Sequence, residues 1–165
     1  VGSGSLSRDP TLVAQRELAK RLRLVWRSRT HRGFFLRAES FYNVATEIER
    51  LGFDPAKSPY GPTSYHQQSH GESFLNLFIN RLRGDGLYLF DEPEAALSPQ
   101  RQLTFLAALH ELVEREAQFI IATHSPIIMA YPDAILYEFS EDGLKRVDYH
   151  DTEHYRVTRT CVNRP

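Results

Sequence analysis

The run of residues 86–93, Gly-Leu-Tyr-Leu-Phe-Asp-Glu-Pro, constrains the fold of this chain more than any other feature. It places four apolar residues directly before two adjacent carboxylates, Asp91 and Glu92. An uninterrupted apolar run of this length predicts a central strand of a parallel sheet, buried on both faces. A buried strand is not expected to end in two acids unless its end meets a cation, a phosphate or water.

The acidic pair has two interpretations. In nucleotide-hydrolysing α/β proteins, the first acid holds Mg²⁺ through water and the second orients the attacking water. The alternative is a strand that runs into a polar loop, in which Asp-Glu-Pro only marks the end of the strand. The pair alone does not decide between the two, so the neighbouring motifs matter.

A histidine follows the next apolar run. Residues 119–126, Phe-Ile-Ile-Ala-Thr-His-Ser-Pro, predict a second strand that ends near His124, then a helix with Ser125 as N-cap and Pro126 at its first position. The carboxyl ends of parallel strands form the edge where open α/β sheets bind ligands. At that edge His124 would donate a hydrogen bond to a phosphate or steady a water. Its alternative role is to bond the backbone of the loop.

Two further helix starts carry polar groups. Ser69, Gly71 and Glu72 precede an apolar helix. This arrangement suits a phosphate through backbone N–H groups and the helix dipole, or else it is an ordinary capping device. Ser98 is predicted to cap a long helix over 99–116. The apolar residues predicted to face the core from that helix are Leu103, Leu106, Leu109, Leu112 and Val113.

In their order along the chain, these motifs resemble those of the ATP-binding-cassette ATPases. Residues 69–73, Ser-His-Gly-Glu-Ser, resemble the signature motif, and residues 87–93 resemble Walker B. Residues 96–98, Ala-Leu-Ser, resemble the D-loop, and residues 123–125, Thr-His-Ser, resemble the H-loop. The residues of these motifs resemble those of soluble bacterial "AAA family ATPase" proteins more than those of transporter cassettes. Those proteins are similar to the heads of chromosome-maintenance and recombination-repair ATPases.

The resemblance implies a site for ATP and Mg²⁺ between two heads arranged head to tail. Asp91 would hold Mg²⁺, Glu92 would polarise the attacking water, and His124 would contact the γ-phosphate. The remaining nucleotide contacts implied are Ser69, Gly71 and Glu72 across the interface, Ser98 through the D-loop, and Glu39 in the Q-loop region. Glu39 has an equally open alternative, which is to cap a helix over 41–51. His70 stands where transporter signatures have glycine, and Ser98 stands where the D-loop usually has aspartate.

The family's phosphate loop is absent from this sequence, because Gly-x-x-x-x-Gly-Lys-Ser/Thr occurs nowhere in it. We therefore expect residues 1–165 to form a single, partial domain, the C-terminal part of an ATPase head. The expected function is ATP binding and hydrolysis in the complete protein, with a homodimer or a complementary N-terminal half as partner. The alternatives are a nucleotide-gated interaction module with little hydrolysis, acting on DNA or an effector, and an inactive remnant.

Composition is that of a soluble globular domain, with 41% hydrophobic and 25% charged residues. The net charge of −1 gives no overall case for nucleic acid or membrane. A local basic cluster either holds nucleic acid or forms a solvated helix face. Its members are Lys20, Arg21, Arg23, Arg27, Arg29 and Arg32. The single cysteine excludes an internal disulfide and fits the cytoplasm, and no apolar run approaches the length of a membrane span.

The alternation of predicted elements indicates an α/β fold, with a mainly parallel sheet flanked by helices. Helices are predicted over 11–27 and 41–51, with a strand over 34–38 between them. Towards the C-terminus, residues 134–139 and 144–149 predict a hairpin on one edge of the sheet, and residues 152–160 predict a last helix.

Overall fold

The structure is a computed structural model, and it describes residues 17, 19–26, 29–38, 75, 78 and 82–163. Three strands form a parallel sheet in the order β1-β2-β3: β1 is Gly33–Arg37, β2 is Leu87–Asp91 and β3 is Gln118–Ala122. Arg37, Asp91 and Ala122 lie in register at the carboxyl ends of the strands. The predicted α/β class with a parallel sheet is therefore confirmed.

The helices begin where proline and a capping hydroxyl predict. α1 is Pro99–Val113, with Ser98 as its N-cap, and α2 is the single turn Pro126–Met129, with Ser125 as its N-cap. α3 is Glu153–Val162. Two 3-10 turns, Pro93–Ala96 and Tyr149–Asp151, were not expected from the sequence.

One face of the sheet carries the core. Tyr88 and Phe90 of β2 are 2% and 3% exposed, and Phe105 of α1 is fully buried. The ring of Phe78 lies with its centroid 4.6 Å from that of Phe105 and 5.7 Å from that of Phe90. Burying a phenylalanine side chain contributes about 2–3 kcal/mol, so this aromatic cluster fixes α1 against the sheet.

The prediction that β2 is buried on both faces is wrong for the part of the chain that the structure describes. Leu89 points to the opposite face from Tyr88 and Phe90 and is 37% exposed. Its neighbours in register, Phe35 and Ile120, are 61% and 55% exposed. Alternate residues of a strand face opposite sides, and within the described residues only one side of this sheet is covered.

The buried stripe of α1 also differs from the predicted one. Gln102, Phe105, Leu109 and Leu112 are buried, whereas Leu103 is 52% exposed. Each residue turns a helix by about 100°, so leucines spaced by three drift around the surface. Leu103 and Leu112 therefore lie on nearly opposite sides and cannot both face the core.

The C-terminal hairpin is separate from the main sheet. β4, Leu136–Ser140, pairs antiparallel with β5, Gly143–Val147. Among the described residues these strands form a two-stranded sheet of their own, so the predicted position on one edge of the main sheet is wrong.

The two predicted N-terminal helices are only partly covered by the description. Residues 19–21 are helical, but residues 22–26 are not, so the helix predicted over 11–27 ends earlier. The helix predicted over 41–51 lies outside the described residues. In the predicted signature helix, Leu75 and Phe78 are helical and Leu82 is not.

Candidate functional site

The acidic pair lies at the carboxyl end of the central strand. Asp91 is the last residue of β2, and its Oδ2 accepts a hydrogen bond from Arg37 Nε at 2.7 Å. Arg37 reaches it because the two residues are in register on neighbouring strands. The side chain of Asp91 is 28% exposed. Its carboxylate is therefore accessible from the edge of the sheet.

Glu92 turns the chain sharply after the strand. Its backbone is left-handed, with φ 49° and ψ 53°, and its N–H donates to the carbonyl of Ala122 at 2.9 Å. A non-glycine residue in this region carries local strain, which is often found at functional sites. The turn separates the directions of the two adjacent carboxylates, and Glu92 faces the end of β3.

His124 follows the neighbouring strand, β3, and lies beside Glu92. Its Nε2 lies 3.7 Å from Glu92 Oε1, and its side chain is 74% exposed. Its Nδ1 lies 3.2 Å from Nε2 of His154, at the start of α3. The structure thus brings Asp91, Glu92 and His124 to one edge of the sheet.

Glu94 connects the turn after β2 to the loop after β3 through hydrogen bonds. It lies in the 3-10 turn after Glu92, and its carboxylate accepts hydrogen bonds from the Thr123 hydroxyl at 2.8 Å and the His124 backbone N–H at 2.6 Å. The Thr123 hydroxyl in turn accepts the N–H of Ser125 at 3.0 Å. Charge-assisted hydrogen bonds are stronger than neutral ones, so Glu94 holds the segment that carries His124.

A buried polar link joins α1 to the same segment. Ser125 Oγ donates to Gln102 Oε1 at 2.5 Å, and Gln102 Nε2 donates to the Leu97 carbonyl at 3.1 Å. Gln102 and Ser125 are 7% and 6% exposed. A buried polar group needs its partners, so this link fixes the loop before α1 relative to the loop after β3.

Ser98 is the one other predicted nucleotide contact that lies among the described residues. Ser98 is exposed, and its hydroxyl accepts the Arg101 N–H at 3.4 Å, as an N-cap does. Its D-loop role stays a prediction. Four predicted residues lie outside the part of the chain that the structure describes, and their roles stay predictions as well: Glu39, Ser69, Gly71 and Glu72.

Comparison with known families decides the assignment. The AAA ATPase domain family matches residues 37–129, which is more than half of the chain. The chain belongs to the AAA ATPase domain family. The match spans both strand ends and the loops described above, and the family is one of ATP-binding ATPases with a P-loop NTPase α/β fold. No curated protein sequence matches the chain at a significant level.

The residues at the sheet edge of this AAA ATPase domain fit Mg²⁺ and a nucleotide. Within the described residues, no three or more histidine, cysteine or acidic side chains form a metal site. Mg²⁺ that arrives with a nucleotide needs only one or two protein carboxylates, because phosphates and waters complete its shell. Asp91 and Glu92 offer two partly exposed carboxylates of the required hard oxygen type.

The basic cluster is partly neutralised where it is described. Lys20 pairs with Glu17 at 2.5 Å, and Arg32 pairs with Asp85 at 2.9 Å. Arg27 lies outside the described residues. Nucleic-acid binding by this cluster therefore stays a prediction, and it rests on fewer unpaired cations than the sequence suggests.

In the described part of the AAA ATPase domain, none of the helices has the length and apolarity needed to cross a membrane.

Sequence reasoning missed three residues that contact the site: Arg37, Glu94 and His154. Arg37 and Glu94 each lie within a few residues of a predicted element end, but their partners lie on other strands. His154 follows a recognisable N-cap, Thr152, in the sequence. That signal places the residue in a helix, and only the packing of α3 places it at His124.

Proposed function

We propose that this chain is the catalytic-carboxylate part of an ATP-binding-cassette-type head, which binds Mg-ATP and hydrolyses it at a head-to-tail dimer interface. The observation that carries the proposal is the convergence of Asp91, Glu92 and His124 at one sheet edge, with Glu92 Oε1 and His124 Nε2 3.7 Å apart. A water molecule held by Glu92 would lie beside a phosphate held by His124, which is the geometry that hydrolysis needs.

Each of the three side chains has a role in this proposal. Asp91 would hold Mg²⁺, which when bound would supply charge neutralisation on the phosphate oxygens. Glu92 accepts a proton from the attacking water and orients it. His124 donates a hydrogen bond to a γ-phosphate oxygen. Arg37 would compete with Mg²⁺ for the Asp91 carboxylate, since its Nε donates to Oδ2 at 2.7 Å.

The phosphate loop is proposed to come from a complementary N-terminal segment, because the sequence contains no lysine-bearing glycine-rich loop. Such a segment has to reach a phosphate at His124, which follows β3. Within the described residues β3 is an edge strand, with β2 on one side and no strand on the other. An unpaired strand edge offers backbone hydrogen bonds to an incoming strand, so we propose this edge as the place of assembly.

The test is Mg-ATP hydrolysis over a range of protein concentrations, with the N-terminal half that carries the phosphate loop supplied, because this sequence contains no such loop. It compares the parent chain with Glu92→Gln and with Glu111→Gln as a matched control, because Glu111 is exposed on α1. We expect activity to rise faster than linearly with concentration. We expect Glu92→Gln to lower it about 100- to 10,000-fold, as loss of a general base does, while Glu111→Gln leaves it unchanged.

The outcomes separate the parts of the proposal. Parental activity in Glu92→Gln would refute the role of Glu92, and a linear concentration dependence would refute the dimer. Binding of a fluorescent ATP analogue without hydrolysis by the parent chain would favour the nucleotide-gated module. Absence of nucleotide binding when the N-terminal half is present would refute the proposed site.

A further inference from the structure

A second histidine lies against His124. Nε2 of His154 is 3.2 Å from Nδ1 of His124, the ring centroids are 5.4 Å apart, and the ring planes make an angle of 36°. His154 is half-buried, whereas the His124 side chain is largely exposed. No other side chain is in hydrogen-bond contact with the His124 ring in the part of the chain that the structure describes.

The start of α3 is built in a way that holds His154 in this position. Thr152 is the N-cap and is 5% exposed; its hydroxyl accepts the Tyr155 N–H at 3.2 Å and donates to the Tyr149 carbonyl at 2.7 Å. The Tyr149 hydroxyl donates to the Pro126 carbonyl at 3.0 Å. Pro126 begins α2, two residues after His124. The helix that carries His154 is thus tied to the segment that carries His124.

The neighbours of the two ring nitrogens favour one tautomer of His124. Two imidazole nitrogens at 3.2 Å form a hydrogen bond only when one is protonated and the other is not. The second nitrogen of His124, Nε2, faces the Glu92 carboxylate at 3.7 Å. A bare lone pair there would repel the carboxylate, which favours the tautomer with the hydrogen on Nε2. In the neutral ring Nδ1 then accepts, and the donor is His154 Nε2–H.

We propose that His154 is a positioning residue that fixes the ring orientation and the tautomer of His124, so that Nε2–H points into the site beside Glu92. The inference rests on the proposed function, in which His124 contacts the γ-phosphate. A phosphate oxygen needs a donor, and an Nδ1–H tautomer of His124 would offer it a lone pair instead. With His154 Nε2–H as the donor, that tautomer would place two hydrogens between the same two nitrogens and remove the hydrogen bond.

The first test uses NMR of the full chain labelled with ¹⁵N-histidine, without nucleotide, at a pH of about 8, where imidazole is largely neutral. We expect His124 to be in the Nε2–H tautomer alone, with a scalar coupling across the hydrogen bond to His154 Nε2. His154→Ala should abolish the coupling and bring in the Nδ1–H tautomer. His154→Gln should keep the single tautomer, because its amide N–H₂ can donate to Nδ1.

His150→Gln is the matched control, because His150 is an exposed histidine in the 3-10 turn before α3 and its ring packs at a tilt against Tyr149 and Tyr155. It should leave the His124 signals in place. An Nδ1–H tautomer in the parent chain, or identical His124 signals in the parent and in His154→Ala, would overturn the proposal.

The second test is Mg-ATP hydrolysis by the same variants, with the N-terminal half that carries the phosphate loop supplied as in the assay above. His154→Ala should lower kcat about fivefold at an unchanged KM, which corresponds to one neutral hydrogen bond. His154→Gln should restore kcat to within about twofold. An unchanged kcat in His154→Ala would overturn the proposal. A His124 tautomer that behaves as expected, combined with parental hydrolysis in Glu92→Gln, would refute the proposed function and not the role of His154.

Discussion

Replacing Glu94 by alanine is expected to loosen the segment that carries His124. The Glu94 carboxylate accepts the Thr123 hydroxyl at 2.8 Å and the His124 N–H at 2.6 Å. It therefore joins the turn after β2 to the loop after β3. Alanine removes both acceptors at once and leaves the two donors to water.

The magnitude follows from the kind of bond that is lost. Hydrogen bonds to a charged group contribute about 1.5–3 kcal/mol each. Thr123 is half-buried and His124 is exposed, so water replaces part of what is lost. We expect Glu94→Ala to lower the free energy of unfolding by about 2 kcal/mol. Glu94→Gln keeps one acceptor oxygen and should lower it by about 1 kcal/mol.

Urea unfolding followed by circular dichroism measures this difference. With an m-value of about 2 kcal/mol per molar urea, the midpoint should fall by about 1 M for Glu94→Ala and about half as much for Glu94→Gln. Glu111→Ala on the exposed face of α1 is the control and should leave the midpoint in place. Equal midpoints for Glu94→Ala and this control would show that the carboxylate does not hold the segment, and the reasoning from the two short contacts would fail.

Two further perturbations test the surroundings of the site. Arg37→Gln removes the guanidinium that pairs with Asp91, and a partly exposed pair of this kind contributes up to about 1 kcal/mol. In a Mg²⁺ titration, the Mg²⁺ concentration for half-maximal nucleotide binding should therefore fall by up to about fivefold. A rise would contradict competition between Arg37 and Mg²⁺ for Asp91. Tyr149→Phe loses the hydrogen bond to Pro126 and should lower the free energy of unfolding by about 1 kcal/mol in the same urea assay. Burial, with a smaller contribution from Tyr155, raises the pKa of Tyr149. The corresponding stability is present below a pH of about 10, the ordinary tyrosine pKa, and is lost as pH rises further. Above that pH, the free energy of unfolding of Tyr149→Phe should therefore fall less than that of the parent chain. An equal fall would show that Tyr149 is not a source of this pH dependence.

The parts of the fold that could be predicted are those with a local cause. Ser98-Pro99 and Ser125-Pro126 each supply a capping oxygen and a residue that lacks an N–H at the first helical position. Those helix starts depend only on neighbours in sequence. The apolar run before Asp91 is likewise a strand because few other conformations bury it.

The failures have a common physical origin. Leu89 is exposed and Leu103 faces away from the core, although both are apolar and lie in correctly predicted elements. Which face of an element is covered depends on what packs there, and composition does not contain that information. The hairpin separated from the sheet for the same kind of reason, because strand order depends on tertiary pairing.

The sequence by itself determined that the chain resembles ATPases, that residues 87–91 form a strand, and which three side chains follow the strand ends, because carboxylates and imidazole at the ends of apolar runs are local patterns. Only the tertiary structure decided their partners. Arg37 reaches Asp91 through strand register, Glu94 reaches His124 across the gap between two strands, and His154 arrives on a distant helix. A hydrogen bond forms between atoms that are close in space, and for these pairs the distance along the chain does not reveal that closeness.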